Sequence, residues 1–390
     1  MRRRDFLRVT LAGGVASLAG CVSNGSQNSA GPGNTSSGQD NQPKNCPENE
    51  ESGGGEPDKK TPPLTRQKAL NLGSNHPDYP TEVSREYKKK IDASDLVYKD
   101  GFLYTRNLKK VKPDTGEILW SIDDETPDTH KALGDNYLYV VGEKDRVEIR
   151  KYPLNSGKRE SRSKLCLDGS GIAEVEPLGD DLYITSKDNT LYKVVDGSLK
   201  WTYEGNDKDY SFYAIPSPHG IFVQDHLHIM SLNPSNGEVN WKKEDYWSPA
   251  TYNDNALFVF SDGAWWRVSL EDGSKKGDIN IAVRDPRVTN RFLYTSSGSL
   301  GTKVYDLDKN ETVWENNDID LENQRGANAQ YYGNYNNKFI SLGGGEILWK
   351  HSVDNPLVGD NREETHTPVI RGRDIWILDS KGYLYNLKES

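Results

Sequence analysis

The chain has little cysteine, little methionine and no long apolar run. Its 390 residues include 3 Cys and 2 Met, and three cysteines are too few for a disulfide framework. No stretch reaches the ~20 consecutive apolar residues that a transmembrane helix needs. Basic charge is also in deficit, since 49 Lys and Arg stand against 59 Asp and Glu, for a net charge of −10. This balance argues against nucleic acid and against binding of anionic lipid through a basic face.

The sequence also lacks the common catalytic patterns, because it has no Ser-His-Asp order, no phosphate-cradling glycine loop and no His/Glu metal helix. His226 and His228 form the only close pair among the 7 histidines, and on a strand they would share a face on which a metal could bind with a third ligand. Solvated histidines near a hairpin turn are the interpretation that we favour. The run from Asp306 resembles the start of a calcium loop, but Glu311 stands in place of the required glycine and Asn317 in place of the final Glu. We predict a turn there and no metal site.

The first twenty residues have the pattern of a targeting segment. Residues 3–8, RRDFLR, resemble a twin-arginine export signal, and residues 18–21, LAGC, resemble a lipobox. We therefore predict that residues 1–20 are a lipoprotein signal and that Cys21 carries a lipid. The mature protein would then be extracytoplasmic and attached to the cell membrane through that lipid. The alternative is a membrane-proximal helix with an incidental cysteine.

Residues 21–63 are rich in Gly, Ser, Asn, Gln, Pro and Glu and contain almost no apolar side chains. Such a segment cannot bury enough surface to offset the entropy lost on ordering. We predict a disordered polar tether here, followed by one domain over residues 64–390. With Cys21 lipidated, Cys46 of the tether and Cys166 of the domain either pair or remain two lone thiols.

The chain is rich in aromatic residues and glycine, with 9 Trp, 21 Tyr and 36 Gly. One element recurs, a turn residue followed four positions later by tryptophan. Glycine or asparagine provides the positive φ that a tight turn needs, and the tryptophan on the following strand can fill the wedge between neighbouring sheets. The element occurs at Gly116/Trp120, Gly197/Trp201, Gly237/Trp241, Asn310/Trp314 and Gly345/Trp349. The intervals between these tryptophans are one or two periods of roughly 35–41 residues, the length of a four-stranded blade.

This periodicity predicts an all-β fold, a β-propeller of four-stranded blades. Counting the units favours eight blades, with seven as the alternative. The last unit, at residues 384–387, has no Trp strand after it, and a ring of blades should not leave an open edge. We expect residues 83–87 to supply the missing outer strand, with Tyr87 near the Trp position. Residues 66–72 are the alternative closing strand.

Two segments carry a resemblance to a known family. Residues 112–120, KPDTGEILW, and residues 191–201, LYKVVDGSLKW, resemble the repeat of the quinoprotein (PQQ-like) β-propellers. By this matching the resemblance covers roughly residues 80–390. The family includes quinone-dependent alcohol dehydrogenases as well as lipid-anchored, non-catalytic proteins such as the outer-membrane assembly lipoprotein. The order of signal, polar tether and blades resembles lipoproteins of salt-loving archaea.

The resemblance implies specific requirements for a dehydrogenase. Those enzymes hold the cofactor PQQ between a Trp floor and a vicinal disulfide, and they use a Ca²⁺ ion and an aspartate base. This chain has no adjacent pair of cysteines, and none of its aspartates can be matched to the base. We therefore expect neither PQQ nor calcium, and we predict no catalytic residue.

The resulting functional expectation is a non-catalytic binding or assembly scaffold for envelope proteins or ligands. Tyr246 and Trp247 lie in one connection between blades, and Arg284 and Arg287 lie in the next. Exposed aromatic and arginine side chains are enriched at binding surfaces, so we predict a binding face there, with packing within the loops as the alternative. The rival functions are a PQQ-dependent dehydrogenase and a ligand-binding protein that feeds a transporter.

Overall fold

The structure, a computed structural model, describes most of the chain from residue 82 to residue 389. Residues 1–81, which include the predicted signal, Cys21, Cys46 and the predicted tether, lie outside the described residues. The described ranges are 82–93, 96–123, 129–143, 146–167, 171–205, 212–225, 228–244, 248–261, 264–279, 287–288, 291–296, 301–318, 322–327, 330–335, 338–343, 346–352, 368–371 and 373–389. None of these segments forms a helix that could span a bilayer.

The described residues form eight sheets of four antiparallel strands each. We number the sheets as blades in chain order. Blade 1 contains β2 (Leu96–Lys99), β3 (Phe102–Thr105), β4 (Lys109–Lys112) and β5 (Glu117–Ser121). Blade 2 contains β6 (Thr129–Leu133), β7 (Tyr137–Glu143), β8 (Val147–Pro153) and β9 (Ser161–Leu165). Blade 3 contains β10 (Ile172–Leu178), β11 (Asp181–Ser186), β12 (Thr190–Val195) and β13 (Ser198–Glu204). Blade 4 contains β14 (Phe212–Ser217), β15 (Gly220–Asp225), β16 (His228–Leu232) and β17 (Val239–Lys243).

The remaining four blades follow the same plan. Blade 5 contains β18 (Ser248–Tyr252), β19 (Leu257–Ser261), β20 (Ala264–Val268) and β21 (Lys275–Ile279). Blade 6 contains β22 (Arg287–Val288), β23 (Phe292–Ser296), β24 (Thr302–Asp306) and β25 (Glu311–Asn316). Blade 7 contains β26 (Glu322–Ala327), β27 (Gln330–Tyr335), β28 (Lys338–Gly343) and β29 (Glu346–Ser352). Blade 8 contains β30 (Val369–Arg371), β31 (Asp374–Leu378), β32 (Tyr383–Glu389) and β1 (Val83–Lys90).

The blades are arranged in a ring. The first strands of successive blades contact one another from β6 through β10, β14, β18 and β22 to β26, and β2 contacts β30. The first strand of each blade therefore lies innermost and the last strand outermost. This arrangement confirms the predicted propeller with eight blades, and the seven-bladed alternative is wrong.

The ring is closed by strand exchange, as predicted from the sequence. Strand β1 pairs antiparallel with β32, from Val83 opposite Glu389 to Lys90 opposite Tyr383. The N-terminal strand thus becomes the outer strand of blade 8, in a sheet whose other three strands come from the far end of the chain. The predicted segment 83–87 lies within this strand, and the alternative segment 66–72 lies outside the described residues.

A β-bulge explains why the turn residue and the tryptophan keep a fixed spacing. In seven blades the outer strand carries one extra residue just before the Trp position, and a bulge of this kind re-aims the side chain that follows it. The turn residues adopt the predicted positive φ, for example 65° at Gly116 and 57° at Asn310. The extra residues are Leu119, Lys200, Asn240, Lys276, Val313, Leu348 and Glu86. Blade 2, which has Ser161 instead of tryptophan, pairs β8 with β9 in regular register.

The hydrophobic core lies in the wedges between neighbouring blades. One cluster joins Tyr183, Leu191 and Trp201 of blade 3 to Phe212 and Ile221 of blade 4, and the other wedges are filled in the same way. Burial of this apolar surface is the main force that holds successive sheets together. Cys166, just after β9, is disulfide-bonded, and its partner lies outside the described residues. The alternative of two lone thiols is therefore wrong for Cys166.

Candidate functional site

The blades are joined at seams, by which we mean the contact between the outer strand of one blade and the turn before the outer strand of the next. The same type of hydrogen bond occurs at three seams. In each, an indole N–H donates to the backbone carbonyl three residues before the turn glycine. The donor–acceptor distances are 3.3 Å for Trp120 to Leu154, 3.2 Å for Trp201 to Pro234 and 3.0 Å for Trp241 to Leu270. Each of these three predicted tryptophans therefore ties its own blade to the next one.

The turn glycine has a second role that sequence reasoning missed. A Cβ atom built on Gly157, Gly237 or Gly273 would lie 2.6–2.8 Å from the indole ring of the preceding blade, a distance that no real contact tolerates. The glycine is therefore needed both for its positive φ and because the ring packs directly on its backbone. The fixed partner of each tryptophan is the glycine of the following period, not that of its own.

The fourth predicted tryptophan, Trp314, lies at the seam between blades 6 and 7. Its side chain is 6% exposed and packs in one cluster with Tyr294 of its own blade and with Ile340 and Leu342 of blade 7. The wedge position predicted for Trp314 is thus the observed one. The turn glycine predicted for the next period, Gly345, lies outside the described residues.

Asn310 has a second role besides the one predicted from the sequence. As predicted, it stands in for glycine in the turn before Trp314, with a φ of 57°. Its side chain also serves the preceding blade, since its Oδ1 accepts from Arg267 at 3.1 Å. The physical reason is the one given above, because each turn residue faces the outer strand of the blade before it.

Apart from the seam of Tyr87, two seams lack the tryptophan, and a cation bridges each of them. Between blades 5 and 6, Arg267 lies opposite Gly277 and donates from Nη1 to the carbonyl of Leu307 at 3.0 Å as well as from Nη2 to Asn310. Between blades 2 and 3, Lys151 Nζ lies 3.1 Å from Asp196 Oδ1. The sequence pattern shows only that tryptophan is missing at these seams, not what replaces it.

The two seams of blade 8 depend on both ends of the described part of the chain. Tyr87 of β1 stands at the Trp position, and its hydroxyl donates to the carbonyl of Pro113 at 2.5 Å, which confirms the predicted position. On the other side, Trp349 Nε1 donates to Glu389 Oε1 at 2.9 Å, and the Tyr332 hydroxyl donates to Glu389 Oε2 at 3.2 Å. Burial raises the pKa of Glu389 to about 7, although the hydrogen bonds from Trp349 and Tyr332 and the charge of Arg373 oppose that rise.

The histidine pair that was the weak candidate for a metal site is only partly described. His226 lies outside the described residues. His228 begins β16, and its Nε2 lies 4.0 Å from Glu244 Oε1. Within the described ranges, no group of three or more His, Cys, Asp or Glu is placed so that it could hold an ion. The run from Asp306 is a turn, as predicted, in which the Asp306 carboxylate accepts from the backbone N–H of Asp308 at 3.0 Å.

The predicted binding-face residues are largely beyond what the structure describes. Tyr246, Trp247 and Arg284 lie outside the described residues. Arg287 begins β22, where its backbone lies opposite Tyr294, and its side chain is not among the described ones. The binding role of these four residues stays a prediction.

The outer strands expose apolar side chains that the sequence reading did not single out as a site. The exposed fractions are 40% for Ile118, 44% for Leu119, 48% for Val239 and 36% for Val313. Ile118 and Leu119 are adjacent on β5, beside the half-buried Trp120, whereas the other two stand singly. Blade 1 therefore carries an apolar patch, which we define as residues 118–120, on the outer rim of the ring. The signal that could have found it is the pair of adjacent apolar residues directly before the tryptophan, Ile118 and Leu119.

These features define the class of the protein, a closed eight-bladed β-propeller. Residues 105–249 match the family model described as outer membrane protein assembly factor BamB, which confirms the predicted repeat over those residues. No curated protein sequence matches the chain.

Two solved structures show the same fold. The crystal structure of BamB from Moraxella catarrhalis aligns with a TM-score of 0.59 at 12% sequence identity, over 79% of this chain and 100% of that one. The computationally designed Ika8 protein aligns with a TM-score of 0.57 at 10% identity, over 77% of this chain and 98% of that one. At such low identity the likeness concerns the fold alone.

Proposed function

We propose that the protein is a lipid-anchored extracytoplasmic propeller that binds other envelope proteins and holds them in an assembly, without catalysing a reaction itself. The observation that carries this proposal is the apolar patch of residues 118–120 on the outer strand of blade 1, with Ile118 40% and Leu119 44% exposed. Exposed apolar residues that adjoin one another point to an interaction site more than apolar residues that stand singly. The match of residues 105–249 to a family described as an assembly factor supports the same role.

The rest of the molecule fits the requirements of a scaffold. Strand exchange between β1 and β32 and the hydrogen bonds at the seams hold the blades in one closed ring. A partner that docks on such a surface loses little free energy to reorganisation, because the patch is held by its sheet before binding. The lipid at Cys21 would keep the ring at the membrane, where envelope partners are concentrated.

Site-specific crosslinking tests the binding surface. A photo-crosslinking amino acid placed at Leu119 of the full-length, membrane-attached chain should capture a defined envelope protein. The matched control is Lys200, which occupies the same bulge position in blade 3 and is also exposed. Leu119→Asp should abolish capture through a reporter at Ile118, whereas Lys200→Asp should not. Equal capture from both bulge positions, or none from Leu119, would contradict the proposal.

The anchor has a separate test. Cys21→Ala should release the protein from membranes into the soluble extracytoplasmic fraction, because a lipid anchor depends on that one thiol. Western blotting of membrane and soluble fractions measures the change, and Ser23→Ala, which keeps all three cysteines, is the matched control. Full retention of the Cys21→Ala protein on membranes would show that the attachment is of another kind.

A further inference from the structure

The seam between blades 7 and 8 differs from the seams of Trp120, Trp201 and Trp241 in its hydrogen-bond acceptor. At those three seams the acceptor is a backbone carbonyl in the turn before the outer strand. In blade 8 the two strands that such a turn would join are β32 and β1, which lie at opposite ends of the described chain. A side chain takes over the role, since the Glu389 carboxylate receives the N–H of Trp349.

Glu389 is held from three sides. Its carboxylate accepts from Trp349 and Tyr332 of blade 7, its backbone N–H donates to the carbonyl of Arg373 at 2.9 Å, and its Cα lies opposite Val83 of the closing strand. Only 4% of its surface is exposed. The same residue therefore links blade 7, the body of blade 8 and the exchanged strand.

We propose that Glu389 is a proton-operated clasp of the ring, which holds the closure of β1 on β32 firmly while its carboxyl is protonated and loosens it on ionisation. The protonated carboxyl can accept the Trp349 N–H on one oxygen and donate to the Tyr332 oxygen from the other, so both hydrogen bonds survive. Ionisation instead places a negative charge in a site that is almost closed to water, and a buried charge is costly even when it is hydrogen-bonded.

The direction of the pH effect follows from the titration of this group. Burial raises the pKa of Glu389 to about 7 from an ordinary value of 4.5. Between those two values the closed form binds more protons than the open form. The stabilisation of the closed β1–β32 pairing by protonated Glu389 is therefore fully present below pH 4.5 and is lost as the pH rises towards 7.

Other charged or titratable groups lie on the strands around the clasp. Of these, Tyr332 and Arg373 act on the pKa of Glu389, and both lower it, so neither accounts for its elevation. The groups are Tyr332 and His351 of blade 7, Arg373, Asp374 and Lys388 of blade 8, and Glu82 and Arg85 at the start of the closing strand.

Hydrogen exchange on the full chain tests the clasp. After correction for intrinsic exchange rates, the opening equilibrium constant of the β1 and β32 amides should rise between pH 4.5 and pH 8, by at most about 100-fold. Glu389→Gln keeps one acceptor and one donor at the same places and does not titrate, so its opening constant should stay level over this range. Glu86→Gln, on the exposed face of β1, is the matched control and should behave like the unmodified chain.

Two further variants keep the test decisive if Glu389→Gln folds poorly. Trp349→Phe removes a hydrogen bond that favours the ionised carboxylate, so it should move the midpoint of the transition to higher pH. A disulfide from Ser84→Cys and Lys388→Cys, whose Cα atoms are register partners, should abolish the pH dependence of opening. A pH response that is unchanged in Glu389→Gln and in the Trp349→Phe chain would overturn the proposal.

Discussion

The seam between blades 4 and 5 and the seam between blades 5 and 6 join neighbouring blades through different side chains. At the first, Trp241 donates to the carbonyl of Leu270 at 3.0 Å, and at the second, Arg267 donates to the carbonyl of Leu307 at the same distance. Both acceptors stand three residues before the turn residue. The acceptor in the turn is thus the constant part of these seams, while the donors include an indole, a guanidinium and, at Tyr87, a phenol. At the seams of Trp120 and Trp201 a lysine ammonium, from Lys110 or Lys193, donates to the same carbonyl as the indole.

The turn residues differ in step with the donors. Under Trp241 the turn residue is Gly273, where a Cβ would lie 2.6 Å from the ring. Under Arg267 it is Asn310, whose side-chain oxygen accepts from the guanidinium at 3.1 Å. The indole ring packs against the backbone of the turn residue, so only glycine fits there. The smaller guanidinium leaves room for the Asn310 side chain and donates a hydrogen bond to it. Asn310 is therefore more than a second way to reach positive φ.

The largest effect should come from disturbing the close packing of the indole ring on the turn glycine of a Trp seam. Gly273→Ala combines strain at a φ of 69° with a collision against Trp241, and we expect it to lower the free energy of unfolding by about 3 kcal/mol. Gly101→Ala is the matched control, since Gly101 has a φ of 85° and no neighbouring side chain or backbone would lie within 4 Å of a Cβ added there. It should cost about 1 kcal/mol from backbone strain alone. If denaturant titrations show equal losses of unfolding free energy for Gly273→Ala and Gly101→Ala, the packing of the Trp241 indole does not depend on Gly273.

A smaller effect should come from forcing one kind of seam into the other. Gly277→Trp alone places an indole where Arg267 already lies, and it should cost about 2 kcal/mol through overpacking. Adding Arg267→Ser and Asn310→Gly reproduces the serine, tryptophan and glycine found at the seam of blades 4 and 5. The triple variant should recover most of the loss, because neighbouring substitutions of this kind are coupled.

The control for this conversion is the pair Arg267→Ser and Asn310→Gly without the tryptophan. It removes both guanidinium hydrogen bonds and leaves the space between the two blades unfilled. It should therefore be less stable than the triple variant in the same denaturant titration. If the triple variant is no more stable than Gly277→Trp alone, the seams are not interchangeable modules.

The repeat and the ring could be predicted because their determinants are local and repeated. A positive-φ turn residue and an aromatic at fixed offset can be read in most periods, and Tyr87 could be predicted because the last unit lacks its outer strand. The roles of Arg267 and Glu389 could not be predicted in this way. Arg267 contacts a residue 40 positions later, and Glu389 contacts Tyr332 at a separation of 57. Each occupies a place where the repeat is broken, so the pattern shows a gap but not the side chain that fills it.

The candidate binding surface could likewise be predicted only in part from the sequence. The patch of residues 118–120 lies within a repeat that the sequence identifies, yet its exposure depends on the bulge at Leu119, which sends that side chain outwards. The alternation of a regular strand would have placed Ile118 and Trp120 together on the buried face. Exposure at a bulge is decided by register against the neighbouring strand, and register is fixed only when the sheet forms.

The smallest effect should come from adding PQQ and Ca²⁺, the cofactors of the quinone-dependent alcohol dehydrogenases whose repeat the sequence resembles. PQQ and Ca²⁺ together should shift the melting temperature by less than about 1 °C, because a ligand stabilises a fold only if the folded state binds it. The chain has no adjacent cysteines for the vicinal disulfide that those enzymes place against PQQ. Differential scanning calorimetry with and without both additives measures the shift, and EDTA-treated protein is the control for calcium alone. A concentration-dependent rise of several degrees would replace the scaffold role with a dehydrogenase, since binding at the ring would then be specific.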